Sequence, residues 1–264
     1  MSQTSGAEQP GKSKNQPKLA SLLKKADTLA KRGLYDEAIA QVKEAIALWP
    51  SEPKCSVQLA NLYRAQNKIG PAIEAMKNAV DLNPKDSDTQ EQLLQILIEL
   101  GRYEEAVSLS RKMLKKSPKN LFVRDVLGIA YLQQGKIEDS LRVTNELIHL
   151  VPADPAHHFK KAVLLQQKGE IAQAMSCFTR SLEMDPSGDM ADDAREAIAA
   201  LDSYQLRQIL TIAVEDIVFR TKLMMDPEAA SIERGFLLSS SGVATLRQID
   251  LDSLPGEAQN RYYH

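Results

Sequence analysis

The side chains able to do chemistry in this 264-residue sequence are few, and their spacing suits catalysis poorly. Its four histidines are His149, His157, His158 and His264. His157 and His158 are neighbours, so on a helix their rings diverge by about 100° and miss the i, i+4 spacing used to grip zinc. Cys55 and Cys177 show no ligand-type spacing and are too few for a disulfide framework, which fits a reducing compartment. Glu104-Glu105 and Asp192-Asp193 are adjacent carboxylates on polar helix faces and do not converge on a common substrate atom. Glycines occur singly, without a loop that could cradle phosphate. The basic run Arg111, Lys112, Lys115, Lys116 and Lys119 suits a helix C-terminus through the helix dipole. It lacks the interleaved aromatics of a nucleic-acid track. The sequence therefore offers no catalytic residue, no metal ligand set and no cofactor site. The expectation is a non-enzyme with neither nucleic acid nor membrane as partner.

Composition bounds the elements that could carry a binding site instead. Apolar residues make up 43%, charged residues 26% and aromatics 5%, with a formal net charge of −2. That is a soluble balance with too few aromatics for a sandwich core, and with no overall pull toward polyanions. Ser2 to Pro17 is polar and has no apolar stretch like a signal peptide. No run approaches the roughly 18 apolar residues of a membrane span. The cytoplasm is the expected location.

Pro50, Pro84, Pro118, Pro152 and Pro186 recur at a fixed step of 34 residues. With proline at about 5% of positions, four such coincidences have a chance on the order of one in 10⁵. A period of about 34 residues belongs to helix–turn–helix repeats. Windows 19–52, 53–86, 87–120, 121–154 and 155–188 align without gaps. Their fifteenth place reads Gly33, Asn67, Gly101, Gly135 and Gly169, residue types that tolerate the left-handed conformation ending a helix. The twentieth place reads Ala38, Ala72, Ala106, Ser140 and Ala174, small enough for two helices to approach closely. The eighth reads Ala26, Ala60, Leu94, Gly128 and Ala162. Leu19, Leu22, Leu23, Ala26 and Leu29, then Ala38, Ile39, Val42, Ala45 and Ile46, follow helical spacing on either side of Gly33. Each window thus predicts helix, turn and helix, with proline closing the second helix.

These windows resemble the tetratricopeptide repeat family over residues 19–188. Gly33-Leu34-Tyr35-Asp36-Glu37-Ala38-Ile39, Gly101-Arg102-Tyr103-Glu104-Glu105-Ala106-Val107 and Leu127-Gly128 with Tyr131 carry the resemblance. The fourth place, often a large aromatic in the family, here reads Leu22, Ser56, Gln90, Arg124 and His158. The resemblance implies an all-α, right-handed superhelical solenoid of antiparallel helix pairs. Its concave face, formed by the second, fifth, ninth and twelfth places, would hold a peptide or amphipathic helix of another protein. Those places share one helix face about 140° from the core stripe. Candidate groove residues are Lys54, Asn61, Arg64, Glu91, Phe122, Asp125, Ile129, Phe159 and Val163. The Lys and Asn pattern with which some members clamp a terminal carboxylate is missing: Leu23, Asp27, Asp88 and Glu91 stand in those windows. An apolar band of Phe122, Ile129, Leu132, Phe159 and Val163 marks the last two windows. Either the C-terminal helices cover this band or a partner does, and Phe159→Ala is then expected to weaken binding while barely altering the fold.

Beyond Pro186 the 34-residue phase is lost. Residues 189–253 are expected to form a helical cap, with helices over 189–201 and from Tyr204 to Met224, a short one opened by Asp226-Pro227 and ended by Gly235, and a last one from Ser239 or Ser240 to Ile249. Residues 1–17 and 254–264 are expected to be disordered and frayed tails. Phe219-Arg220, Asp226-Pro227-Glu228-Ala229-Ala230, Gly235-Phe236 and Leu238-Ser239 are similar to leader segments of nitrile-hydratase-like precursors of ribosomal peptide natural products. That similarity implies a second role, as an accessory of peptide natural-product maturation that recruits an enzyme through the C-terminal module. The leading expectation is an interaction scaffold or adaptor.

Overall fold

Five left-handed residues punctuate the chain where the fifteenth column places them. Gly33, Gly101, Gly135 and Gly169 have φ between 69° and 86°, and Asn67 has φ 56°. At each, two backbone bonds close the preceding helix: Gly33 N–H donates to Ala30 O at 2.9 Å and Leu34 N–H to Leu29 O at 3.0 Å. This paired closure satisfies terminal carbonyls and turns the chain back on itself. The computed structural model describes residues 16–254, so the N-terminal tail reading (except Gln16 and Pro17, which begin a helix) and the C-terminal tail reading beyond Leu254 fall outside the described residues.

The described residues form fourteen α-helices and no strand. Antiparallel pairs are α1 (Gln16–Lys31) with α2 (Tyr35–Leu48), α3 (Pro53–Ala65) with α4 (Ile69–Leu82), and α5 (Ser87–Glu99) with α6 (Tyr103–Lys116). They continue with α7 (Leu121–Gln133) and α8 (Ile137–Leu150), then α9 (Pro155–Lys168) and α10 (Ile171–Met184). Every repeat proline sits two residues past the second helix, where its missing N–H costs nothing. Asp86, Asn120 and Asp154 then cap the next hairpin, accepting backbone N–H groups from Asp88, Val123 and Ala156 at 2.9–3.2 Å. The molecule is an all-α solenoid of helix pairs.

The chain divides into two compact units, Met1–Lys116 and Ser117–His264. In the first, α1 to α6 stack hairpin on hairpin, and α1, α2 and α3 close around Ala26, Ala38, Ile39, Val42, Ala45, Cys55 and Leu62. Ala38, Ala72 and Ala106 are fully buried, which is why that column must be small. In the second, α7 to α10 enclose Leu141, Leu164, Leu165, Met175 and Phe178. Burying one such side chain contributes about 2 kcal/mol.

The C-terminal region departs from the expected helices. A single 25-residue helix, α11 (Ala191–Glu215), replaces the pair expected over 189–201 and from Tyr204 onward. The break falls instead at Asp216, whose carboxylate accepts the Phe219 N–H at 2.9 Å and caps α12 (Ile217–Met225). Asp202-Ser203 does not interrupt the helix, because Asp202 is buried and bonds to another segment. The amino half of α11 packs on α10 through Ala194 and Leu201. Its other half joins α12, α13 (Pro227–Glu233) and α14 (Ser240–Gln248) around Ile209, Ala213, Phe219, Leu223 and Leu246. Two buried polar residues of α11 fix the extended stretch between α13 and α14. Gln205 donates to Leu237 O at 2.8 Å and accepts from Leu237 N–H at 2.9 Å. Asp202 accepts from the Ser239 N–H at 2.8 Å and from the Ser239 hydroxyl.

Candidate interaction face

The first helix of each repeat carries the candidate residues, and the two units differ in what those residues do. In the first unit, Lys54 and Asn61 of α3 are exposed and Glu91 of α5 is half-buried. Arg64 is already engaged: its guanidinium lies 2.7 Å from Glu99 on α5. Gln58 ties α3 to α1, donating to Leu23 O at 2.9 Å and to Asp27 Oδ1 at 2.5 Å. This face is polar and largely self-satisfied.

In the second unit the structure gathers Asp125, Ile129, Phe159 and Val163 around one notch of about 150 Å³ between α7, α8 and α9. Leu132 and Leu164 add to the walls, and Gly128, Ser140, Thr144 and Leu147 form the side toward α8. Ile129 is 37% exposed and Phe122, near the start of α7, 42% exposed. The C-terminal helices therefore leave both at solvent among the described residues. Phe159 is different. Its ring meets Phe178 edge-on at 5.3 Å and packs on the core, so it is partly structural. Its truncation is therefore expected to cost stability as well as binding, so Phe159→Ala would not isolate a binding role. Lys160 bridges to Asp125 at 2.5 Å across one edge of the notch.

Three of these contacts share a rule that the column reading missed. Leu23 with Gln58, Arg64 with Glu99 and Asp125 with Lys160 are each 35 residues apart. One repeat plus one residue brings neighbouring first helices into register, so the sixth and thirteenth places partner the fifth and twelfth of the preceding repeat. That signal was present in the sequence at Gln58, Glu99 and Lys160. The α8 wall had no such signal, since it depends on how α7 and α8 close on each other. Ser140 donates its hydroxyl to Gly128 O at 2.9 Å across that approach.

Other reactive groups are quiet. Burial pushes the thiols of Cys55 and Cys177 up, away from the nucleophilic thiolate. Among the described residues no cluster of three or more His, Cys, Asp or Glu is placed to hold a metal ion. His157 is buried and His149 exposed. A charged cleft of about 720 Å³ between α8 and α9–α10 is laced with ion pairs. Arg124 meets Glu146 at 2.9 Å there, and Lys168 meets Glu138 at 2.8 Å and Glu170 at 2.5 Å. Those two carboxylates hold the Lys168 ammonium up at about 12. No described helix is long and apolar enough to cross a membrane.

Three tetratricopeptide repeat models match the sequence, over residues 57–120, 97–164 and 158–187. The chain is a tetratricopeptide repeat protein. This places it among protein-interaction scaffolds. As such a repeat protein it is similar in fold to MamA (residues 41 to the end) from Desulfovibrio magneticus RS-1, with 18% identity and a TM-score of 0.54. That match covers 65% of this chain and 97% of the other. YrrB, described as a TPR protein with an unusual peptide-binding site, aligns at 15% identity with a TM-score of 0.52, over 69% of this chain and 94% of its own. At such identities the likeness concerns the fold. No curated protein sequence matches this repeat protein.

Proposed function

We propose that this chain is a non-enzymatic adaptor that binds a peptide or amphipathic helix of another protein on the first-helix face of its repeats. In this reading one apolar ligand side chain seats in the notch bordered by Ile129, Phe159 and Val163. The observation that carries it is the coincidence of size and lining. A dry apolar cavity of about 150 Å³ accommodates a benzene-sized group, which corresponds to a Phe or Leu side chain. The Asp125–Lys160 pair beside it offers both a donor and an acceptor to ligand backbone. Phe122 extends the apolar surface along α7. On the first unit's face, Lys54 and Asn61 are the exposed polar groups open to a ligand, while Arg64 is held by Glu99 and Glu91 is half-buried. Micromolar affinity, about −8 kcal/mol, suits such a site.

The test is peptide selection on the full chain followed by titration. Selected peptides are expected to share one Leu or Phe anchor whose replacement by Ala costs about 1–2 kcal/mol. Ile129→Glu should weaken them at least tenfold with unchanged helix content. Peptides that bind Ile129→Glu as well as the parent chain would remove the notch from the site.

A second reading makes the protein an accessory of peptide natural-product maturation, recruiting an enzyme through residues 189–264. The observation favouring it is the apolar surface that α12 leaves at solvent. Retention of one modifying enzyme by the full chain, lost on deleting residues 189–264, would support this reading over the first.

A further inference from the structure

The C-terminal module carries a surface that its own core does not use. Along α12, Ile217, Val218, Met224 and Met225 are 67%, 63%, 49% and 83% exposed, and Ile232 of α13 is 55% exposed. Ile217 with Met224 and Val218 with Met225 are seven residues apart, and exposed Thr221 lies between them. Seven residues are two helical turns, so these side chains form one stripe. The opposite face of the same nine-residue helix supplies Phe219 and Leu223 to the core. Two apolar faces on so short a helix leave one without a partner among the described residues, in a region where a solvated face would ordinarily be polar.

The charges beside the stripe are one-sided. The cations of α12 and the one just after α13 are engaged among the described residues: Lys222 with Glu233 at 2.5 Å, Arg234 with Asp216, and buried Arg220 with Leu254 O at 2.9 Å. Glu215, Asp226 and Glu228 form no ion pair among the described residues, although Asp226 accepts the Ala229 N–H at 3.1 Å as the cap of α13. In sequence they stand two residues before Ile217, directly after Met225 and one turn before Ile232. The stripe is thus rimmed by carboxylates that no described cation pairs with. Its methionines are flexible and polarizable, which lets one surface repack around differing apolar side chains.

We infer that the α12–α13 face is a docking site for a basic amphipathic helix of another protein, its apolar side on Val218, Met224 and Met225 and its Lys or Arg residues against Glu215, Asp226 and Glu228. The inference is independent of the notch between α7 and α9. An anionic membrane surface would be repelled by the same rim.

The probe is a synthetic helical peptide of Leu and Lys, compared with a Leu and Glu peptide of identical apolar pattern, each titrated into the full chain by fluorescence anisotropy. The Leu/Lys peptide should bind at least tenfold more tightly, and added salt should weaken it. Val218→Ser with Met225→Ser should reduce its affinity about tenfold. Both replaced side chains are mostly exposed, so circular dichroism should be unaltered. Equal binding of the two peptides would overturn the charge argument, and equal binding by the doubly substituted chain would overturn the location. Concentration-dependent self-association abolished by Met225→Ser would assign the face to a second copy. Binding seen only after removal of residues 255–264 would assign it to the chain's own end. Either result would also overturn the inference.

Discussion

At Gly242 an added methyl group would lie 2.5 Å from Asp202 Oδ1, inside the buried bond that holds Ser239. Glycine to alanine in a helix normally stabilises by up to about 1 kcal/mol; here the sign should reverse. Gly242→Ala is expected to lower the Tm in thermal unfolding followed by circular dichroism. Gly128 is the control, since its added methyl would meet Val143 Cγ1 at an ordinary 3.5 Å and the equivalent places in three other repeats are alanine. Gly128→Ala should therefore leave the Tm unchanged or raise it. Asn67 makes the converse case, a non-glycine at φ 56°. Asn67→Ala should cost about 1 kcal/mol in urea unfolding, and Asn67→Gly should cost nothing. The glycine columns were legible in the sequence because a left-handed residue restricts side-chain type locally. Asp202 was not, because nothing near it in the chain announces Ser239.

Between elements, the junction of α11 and α12 turns on Asp216. The Phe219 N–H, and then the Arg234 guanidinium, hold its carboxyl below the usual carboxylate range. A depressed folded value stabilises the charged form. Its contribution is complete above the unfolded value of about 4 and is lost as pH falls through the lower folded value. Asp216→Ala should lower the Tm at pH 7, and the gap from the parent should close on acidification below that range. Ion pairs between successive first helices act more weakly. Arg64 and Glu99 are each more than a third exposed, so a double-mutant cycle in urea should give a coupling below about 1 kcal/mol. Their value lies in register, which hairpin stacking already supplies. The long α11 shows the limit of punctuation as a guide: Asp202-Ser203 reads as a possible stop, but an acidic side chain bonded elsewhere does not compete with its own helix.

For the molecule as a whole, α11 is both the lid of the last hairpin and the spine of the C-terminal module. Leu201 and Ala194 complete the cluster around Phe178. Ending the chain at residue 187 should expose that cluster, and the truncated protein is expected to aggregate in sedimentation analysis at concentrations where the full chain does not. The repeats, their turns and the all-α class followed from the sequence alone. A fixed 34-residue step leaves each hairpin's apolar stripe only its neighbours to pack against. Which candidate residues share a notch, which are spent on ion pairs, and which apolar faces stay uncovered were decided by tertiary packing. Those outcomes depend on contacts distant along the chain, such as Phe159 with Phe178 within one repeat, and Asp125 with Lys160 or Asp202 with Ser239 more than a repeat apart. Local patterns of residue type do not encode them.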